Sequence, residues 1–578
     1  MRAYLPLEEN LMQLLERHFE IALETPDGIK KLRELILSLA MQGKLVPQDP
    51  NDQPASELLK EIEIEKKKLI KEGKIKKQEP LPPIKPEEIP YEVPKGWEWA
   101  RLGNVGETNI GLTYKPSDIS DKGVPVLRSS NIQNGKLDFV DLVRVNTEIK
   151  NSALVKEGDL LICARNGSRA LVGKTALITG LSEEMAFGAF MAIFRSRINF
   201  YLLYFINSPL FRKMIAEVNT MTINQITQNN LKSTIFPIPP LAEQKRIVAK
   251  IDQLMALCDK LEAERNERNQ KRLTIHTAAI NRLFSSSNET DFNTSWGFIT
   301  QNFNELYSVP ENVAELKKAI LQLAVMGKLV PQDPNDQPAS ELLKKIETEK
   351  KKLVTTKKLK IGQLTKDTKK INNQISIPKN WKWAKGEDIF FITKLAGFEY
   401  TEHIKLTDIG DIPVIRAQNV RPMRLDIENL KYIDLKTSEL LARCALTKKA
   451  LLVTFIGAGI GDVALFDKNE RWHLAPNVAK MELFDNCDQF LDLRFINYYL
   501  MSVHGRKEIF KHLKSTAQPS ISMGTIRDID YPIPPLAEQK RIVAKIDQLM
   551  ELCNSLKQQI KDSTDKQTAV LNAVLVKA

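Results

Sequence analysis

Residues 43–60, GKLVPQDPNDQPASELLK, return letter for letter at 327–344, and residues 237–255, PIPPLAEQKRIVAKIDQLM, return at 532–550. Between each pair of repeated blocks lies a segment whose two copies have drifted far apart. Identical frames imply two elements held in equivalent surroundings. Divergent contents imply two different jobs, or one job on two targets. A chain that repeats itself is read as a repeat architecture before anything else.

Working outward from the blocks, Phe19, Pro26 and Leu32 match Phe303, Pro310 and Leu316 at an offset of 284, which VPKGWEWA (93–100) and IPKNWKWA (377–384) share. The offset is 288 by Pro125 and Pro413 and 295 by Pro237 and Pro532, so the second copy carries a net eleven more residues, all inside the divergent segment. Insertions confined there are what loops on a fixed scaffold show.

Each copy has the same order of parts. A helix (IKKLRELILSLAMQ, 29–42) carries Ile29, Leu32, Leu35, Ile36 and Leu39 on one stripe, and Gly43 then Pro47 end it. Its counterpart, 311–326, stops at Gly327 in the same way. The loop QDPNDQPA has turn chemistry, and a charged helical piece and a Lys- and Pro-rich linker (73–94) follow. The divergent segments mix short β-branched runs with Gly and Asn turns and then a helix, the pattern of an α+β domain. Each copy closes on a long helix. In the first, Ile247, Ile251, Leu254, Cys258 and Leu261 form a 4-3-4-3 seam, matched by Ile542, Ile546, Leu549, Cys553 and Leu556. Such a seam suits an amphipathic core helix, and two identical seams also suit antiparallel packing on each other about a pseudo-twofold axis. The expected division is a helical region with linker (1–94), a mixed domain (95–236), a repeated helical spacer (237–378), a second mixed domain (379–531) and a closing repeated helix (532–578).

The 578 residues suffice for three or four domain-sized units. No apolar run reaches the roughly 18 residues of a membrane span, and the acidic start is unlike a secretory signal. Five cysteines without ligand spacing predict no metal site and a reducing, cytoplasmic location. A net charge of +12 favours a polyanionic partner.

The PIPPLAEQKRIVAKID block after a strand-rich segment, the GKLVPQDPNDQPASELL block and the duplicated plan together resemble the specificity subunit of type I restriction–modification systems, over essentially the whole chain. The resemblance implies a non-catalytic subunit whose two target-recognition domains each read half of a split site on double-stranded DNA. The helices would set the gap between halves and dock two methyltransferase subunits for adenine N6 methylation, and two restriction (motor) subunits would complete the nuclease. It implies no cofactor in this chain: S-adenosylmethionine (SAM) belongs with the methyltransferase subunits, ATP and Mg²⁺ with the motors.

Three polar clusters are candidates for the DNA face. LRSSNIQNGK (127–136) faces IRAQNVRPMR (415–424). Here Arg128 aligns with Arg416 and Asn131 with Asn419, a shared pair that suits phosphate contact or turn capping as well as bases, whereas Ser129, Gln133, Gln418 and Arg421 differ between copies. Arginine fits guanine and Asn or Gln fits adenine in bidentate fashion. CARNGSRALVGK (163–174) offers Arg165, Asn166, Ser168, Arg169 and Lys174, and its counterpart TFIGAGIGDVAL (454–465) offers Thr454 among glycines; the resemblance brings a glycine turn here close to DNA. MTINQITQNN (221–230) and AQPSISMGTI (517–526) offer Gln225, Thr227 and Gln228, and Gln518, Ser520 and Ser522, for contact or for helix capping.

Rival classes lack their signatures. The PP pairs stand in LPPI and IPPL, not in the [DNS]PP[YFW] motif of an amino-methyltransferase. GSRALVGKT (167–175) has one residue too many for a phosphate-binding loop. A DNA-binding coiled-coil scaffold without a restriction–modification role is the remaining alternative.

Overall fold

The computed structural model describes residues 25, 27–75, 77, 79–133, 135–218, 225–286, 288–356, 375–513 and 519–577. The chain forms two units. Unit one holds the residues up to Arg268 and those from Ser563 onward, and unit two holds Asn269–Asp562. The helical stretches do not stand apart from the mixed domains, because they pack into the same two units.

In unit one the strands Glu98–Arg101 and Ile235–Ile238 pair antiparallel, with Glu98 opposite Ile238 and Arg101 opposite Ile235. This pairing closes the divergent segment at its base, so its start and end leave together. Inside lies an antiparallel sheet ordered Glu107–Ile110, Met191–Arg195, Leu160–Cys163, Thr175–Leu177. The strand LLIC (160–163) is buried at every residue, which explains its unbroken apolar run. A second sheet pairs Ile119–Leu127 with Val143–Val145 and, in parallel, with Ala186–Phe187.

Unit two repeats the plan. Lys382–Lys385 pairs with Asp530–Ile533 at the base. Phe390–Lys394, Val478–Leu483, Ala450–Thr454 and Val463–Phe466 form the inner sheet. Ile412–Ile415 pairs with Lys431–Ile433 and, in parallel, with Trp472–Leu474, which in turn takes Ala445–Leu446. The added residues of this copy stand outside the shared strands, in features such as the helices Gly397–His403 and Leu435–Leu440. One connection is shorter instead. Val453 and Val463 pair ten positions apart where Ile162 and Thr175 pair thirteen apart.

The repeated letters have a structural reason: in each unit the two blocks bond to one another. Gln48 donates to the Gly43 carbonyl at 2.7 Å and to Glu243 at 3.0 Å, and Asp52 holds Arg246 through contacts of 2.6 and 3.2 Å. Trp97, from the GWEWA stretch, donates its indole N–H to Glu243 at 2.9 Å. In unit two Gln332, Asp336 and Trp381 make the same bonds to Gly327, Glu538 and Arg541. Gly43 and Gly327 turn with φ of +68° and +66°, and a Cβ on either would stand 2.4 Å from a ring carbon of Pro94 or Pro378. Only glycine serves there.

The seam residues go to two separate cores. Ile247, Ile251 and Cys258 are buried with Ile29, Ile36 and Trp97 of unit one, and Leu254 and Leu261 pack against that cluster. Ile542, Ile546 and Cys553 are buried with Val313, Leu316 and Trp381 of unit two, flanked by Leu549 and Leu556. Polar contacts trace the same pairing of a short helix with a long one. Arg33 binds Asp259 and Glu262 at 2.7 and 2.8 Å, and the equivalent Lys317 donates to Asn554 at 2.5 Å. Each run of seam residues is covered by the helix Gly28–Met41 or Pro310–Val325, whose own apolar stripe needs cover, and Ala279, Ile280 and Leu283 from the far end of the first long helix join the core of Ile542 and Ile546.

Candidate nucleic-acid interface

In unit one the three polar clusters, far apart in sequence, converge on one face. The strand Leu160–Cys163 delivers Arg165, which bridges to Gln225, while Ile226 donates its backbone N–H to Ala164 at 2.7 Å. Asn166 reaches Ser129 at 3.5 Å. An open cavity of about 910 Å³ lies here, lined by Tyr114, Arg128, Ser129, Arg165, Asn166 and Phe190 among others. Beyond Arg165 a second hollow of about 370 Å³ is lined by Thr108, Gln225, Thr227 and Gln228. A third, of about 270 Å³, carries Arg169, Lys174 and Arg212. Cations set in open concavities suit a phosphate backbone, and the amides and hydroxyls beside them suit base edges.

The structure sorts the candidates by what their polar atoms already do. Asn131 is buried; it accepts from the Arg128 amide at 2.9 Å and donates to the carbonyls of Asp138 and Asp141 at 3.0 and 2.9 Å. Asn419 does the same with Arg416, Asp426 and Glu428. These two are turn staples with no atom left for DNA, and both are withdrawn from the DNA-contact set. Arg128 and Arg416 emerge from those turns half-buried, and each has an Nε without a partner among the described residues. Their outer nitrogens bind the exposed Asp141 and the Asn429 carbonyl.

Thr454 is also withdrawn. It ends a central strand, is wholly buried, and its hydroxyl meets no partner among the described residues. The capping alternative holds for Thr227 and Ser522, which accept from the amides of Asn230 and Thr525 at 3.0 and 2.9 Å at equivalent helix starts. Gln228 donates to the Thr108 carbonyl at 3.2 Å and Gln133 to Ser130 at 2.9 Å. Ser168, Arg169, Gln418, Arg421 and Ser520 are exposed, with Ser520 bridged to Ile456 as Gln225 is to Arg165. Gln518 lies outside the described residues.

The face of unit two has a different chemistry. Its glycine turn holds Gly457, Gly459 and Gly461 at φ of +93°, +83° and +80°, and Arg506 closes it by donating to the Gly461 carbonyl at 2.8 Å. Burial holds the Asp462 carboxyl above its usual range, with Arg506 and Arg421 pulling it back.

Reading polar letters alone missed two positions on these faces. Phe190 stands in the turn before Met191 and is 62% exposed. Asn477 holds the corresponding place in unit two and is exposed. The signal available was FGAF, where small residues break an apolar run just before a strand.

Burial pushes the Cys163 thiol up, and all five cysteines are buried. Among the described residues no group of three or more His, Cys, Asp or Glu is placed to hold a metal ion, and no helix is long and apolar enough to cross a membrane.

Residues 94–269 and 378–564 each match the family model of the type I restriction modification DNA specificity domain. The type I restriction enzyme EcoAI specificity subunit of Escherichia coli is 32% identical over 564 residues, covering 95% of this chain and 93% of that protein. The EcoEI specificity subunit, also of Escherichia coli, is 30% identical over 573 residues with the same coverage. A solved chain of a type I R-M system aligns over 84% of this chain and 98% of its own, with a TM-score of 0.45 at 16% identity.

Proposed function

The chain belongs to the family of type I restriction–modification specificity subunits, and from that premise we propose how its two units divide the work of recognition. It is a non-catalytic DNA-recognition subunit whose chemistry is performed by partner subunits. In the reading we favour, the face of unit one, built on Arg165, Asn166, Ser129 and Gln225, reads one half of a split target. The corresponding face of unit two, with Gln418, Arg421, Ser520 and its glycine turn, reads the other. Arg169 and Lys174 of unit one take phosphates, which position the protein without reading sequence.

One observation carries this reading. The frame of each unit is held by the same bonds between the same letters, while the residues on the equivalent faces differ. A frame used twice with different faces suits an asymmetric target with two unlike halves. The long helices Leu241–Ser285 and Leu536–Lys577 set the gap between them. The repeated surfaces would bind two methyltransferase subunits that hold SAM, and two motor subunits with ATP and Mg²⁺ would complete the restriction enzyme.

The test is single-molecule sequencing of N6-methyladenine in DNA from cells that express this chain with its methyltransferase subunit. A single split, asymmetric motif that requires both proteins is the expected result. A palindromic motif would contradict two unlike faces. No methylation by an assembled complex would favour a DNA-binding scaffold without a modification role.

A further inference from the structure

The two faces share one backbone position at which the side chains differ completely. In unit one the carbonyl of Phe190 accepts from the backbone amides of Ala164 and Arg165 at 2.9 and 3.0 Å. In unit two the carbonyl of Asn477 accepts from Phe455 at 3.1 Å. The next residues, Met191 and Val478, pair with Cys163 and Thr454 in the equivalent registers. Phe190 and Asn477 therefore occupy the same place on the same frame, each at the tip where a strand leaves the inner sheet.

Phe190 is held there in water. Its ring is 62% exposed although its backbone is pinned by two hydrogen bonds, and the Arg165 guanidinium lies 5.5 Å from the ring centroid. The cavity beside it sets Arg128, Ser129 and Asn166 together with the apolar Leu112, Tyr114 and Met191. A ring preorganised by a cation, among polar and apolar groups together, offers an apolar contact beside hydrogen-bonding ones. It is well suited to a base edge that carries one methyl group. Asn477 is exposed, and its side-chain amide makes no hydrogen bond among the described residues. It offers the donor and acceptor that adenine N6 and N7 require.

Resting on the DNA-recognition reading above, we propose that this shared position determines specificity in both units. Phe190 packs on the 5-methyl group of a thymine, beside a guanine contacted by Arg165, and Asn477 reads an adenine in the other half-site. The neighbour of Phe190 across the bridge, Arg165, is replaced in unit two by Ile456, so the charge and the ring change together.

The experiment uses the full chain assembled with its methyltransferase subunit, first mapping the wild-type motif by methylation sequencing. Duplexes in which each thymine of the half-site is replaced in turn by deoxyuridine, which removes only the methyl group, are then compared in binding. Wild type is expected to lose about fourfold at one position, and Phe190→Asn to lose discrimination there. Phe190→Asn should alter or relax the motif in one half-site only, and Asn477→Ala should relax an adenine in the other. The untouched half-site reports that each variant is folded. Indifference of wild type to every deoxyuridine, or an unchanged motif in both variants, would overturn the proposal. Absence of any split motif in wild type would overturn the recognition reading instead.

Discussion

Trp97 donates its indole N–H to the buried carboxylate of Glu243 at 2.9 Å across 146 positions of sequence, and Trp381 repeats the bond to Glu538. Each bond ties the start of a recognition segment to the first turn of the long helix that follows it. Two units with divergent interiors have kept this tie atom for atom, so it belongs to the frame and not to the reading of DNA.

The tie has a pH dependence. Burial holds Glu243 and Glu538 above the usual carboxylate range, and the bonds from Gln48 and Trp97, or Trp381 and Gln332, offset this only in part. A carboxyl whose folded pKa exceeds its unfolded one contributes stability below the unfolded pKa and loses it as pH rises through the folded one. Thermal unfolding of wild type and of Glu243→Gln with Glu538→Gln should therefore diverge as pH rises above about 4, the ordinary glutamate range. Wild type loses ground to the variant as pH rises. A difference that stays flat across this range would show that the carboxylates are ionised without penalty.

Gly43 tests the junction sterically. At φ +68° an L residue is strained, and a Cβ would meet Pro94 at 2.4 Å and the Trp97 ring at 3.1 Å. Strain of about 1 kcal/mol and overpacking of about 1–3 kcal/mol add to a loss of about 2–4 kcal/mol for Gly43→Ala. Denaturant titration should show a loss of similar size for Gly327→Ala. A loss below about 1 kcal/mol would mean that the proline ring simply moves aside.

These frame residues were legible because the sequence states them twice, and glycine before a proline-rich loop has few other readings. The faces were less legible, for specific reasons. Thr454 is a polar letter at a position aligned with Cys163, and only the strand pairing reveals that both point into the core. Asn131 suited a base, a phosphate or a turn cap equally by its letter, because one amide chemistry serves all three, and the fold uses it to staple a turn. The 4-3 seam gave the buried face of each long helix and not its partner, since spacing encodes a stripe and leaves open which stripe covers it. Phe190 was hidden because an apolar letter next to a strand reads as strand until the sheet is seen to end.

Thr454 supplies a prediction of opposite sign. Its wholly buried hydroxyl lacks a partner, so folding strips it of water without return. Replacing it by a methyl group of similar shape, Thr454→Val, should raise stability by about 1 kcal/mol, seen as a higher denaturant midpoint. The methylation motif should stay unchanged. A changed half-site would restore Thr454 to the recognition face.

The spacing role of the long helices can be tested where neither core is disturbed. The division between units falls after Arg268 in one long helix and after Asp562 in the other. On the near side, Arg265 still donates to the Thr25 carbonyl at 2.7 Å. On the far side, Arg272 binds Glu305 at 2.6 Å and His276 meets Tyr307 at 3.0 Å. Between them Asn266, Glu267, Arg268, Gln270 and Lys271 are exposed, so inserted residues displace no core side chain. Four residues added after Arg268 and four after Asp562 lengthen each helix by about 6 Å, close to two base-pair steps of about 3.4 Å. The expected motif keeps both half-sites and widens the gap by one or two base pairs. If the gap is unchanged while methylation persists, the helices do not measure it. If the bases themselves change, the helices take part in reading and not only in spacing.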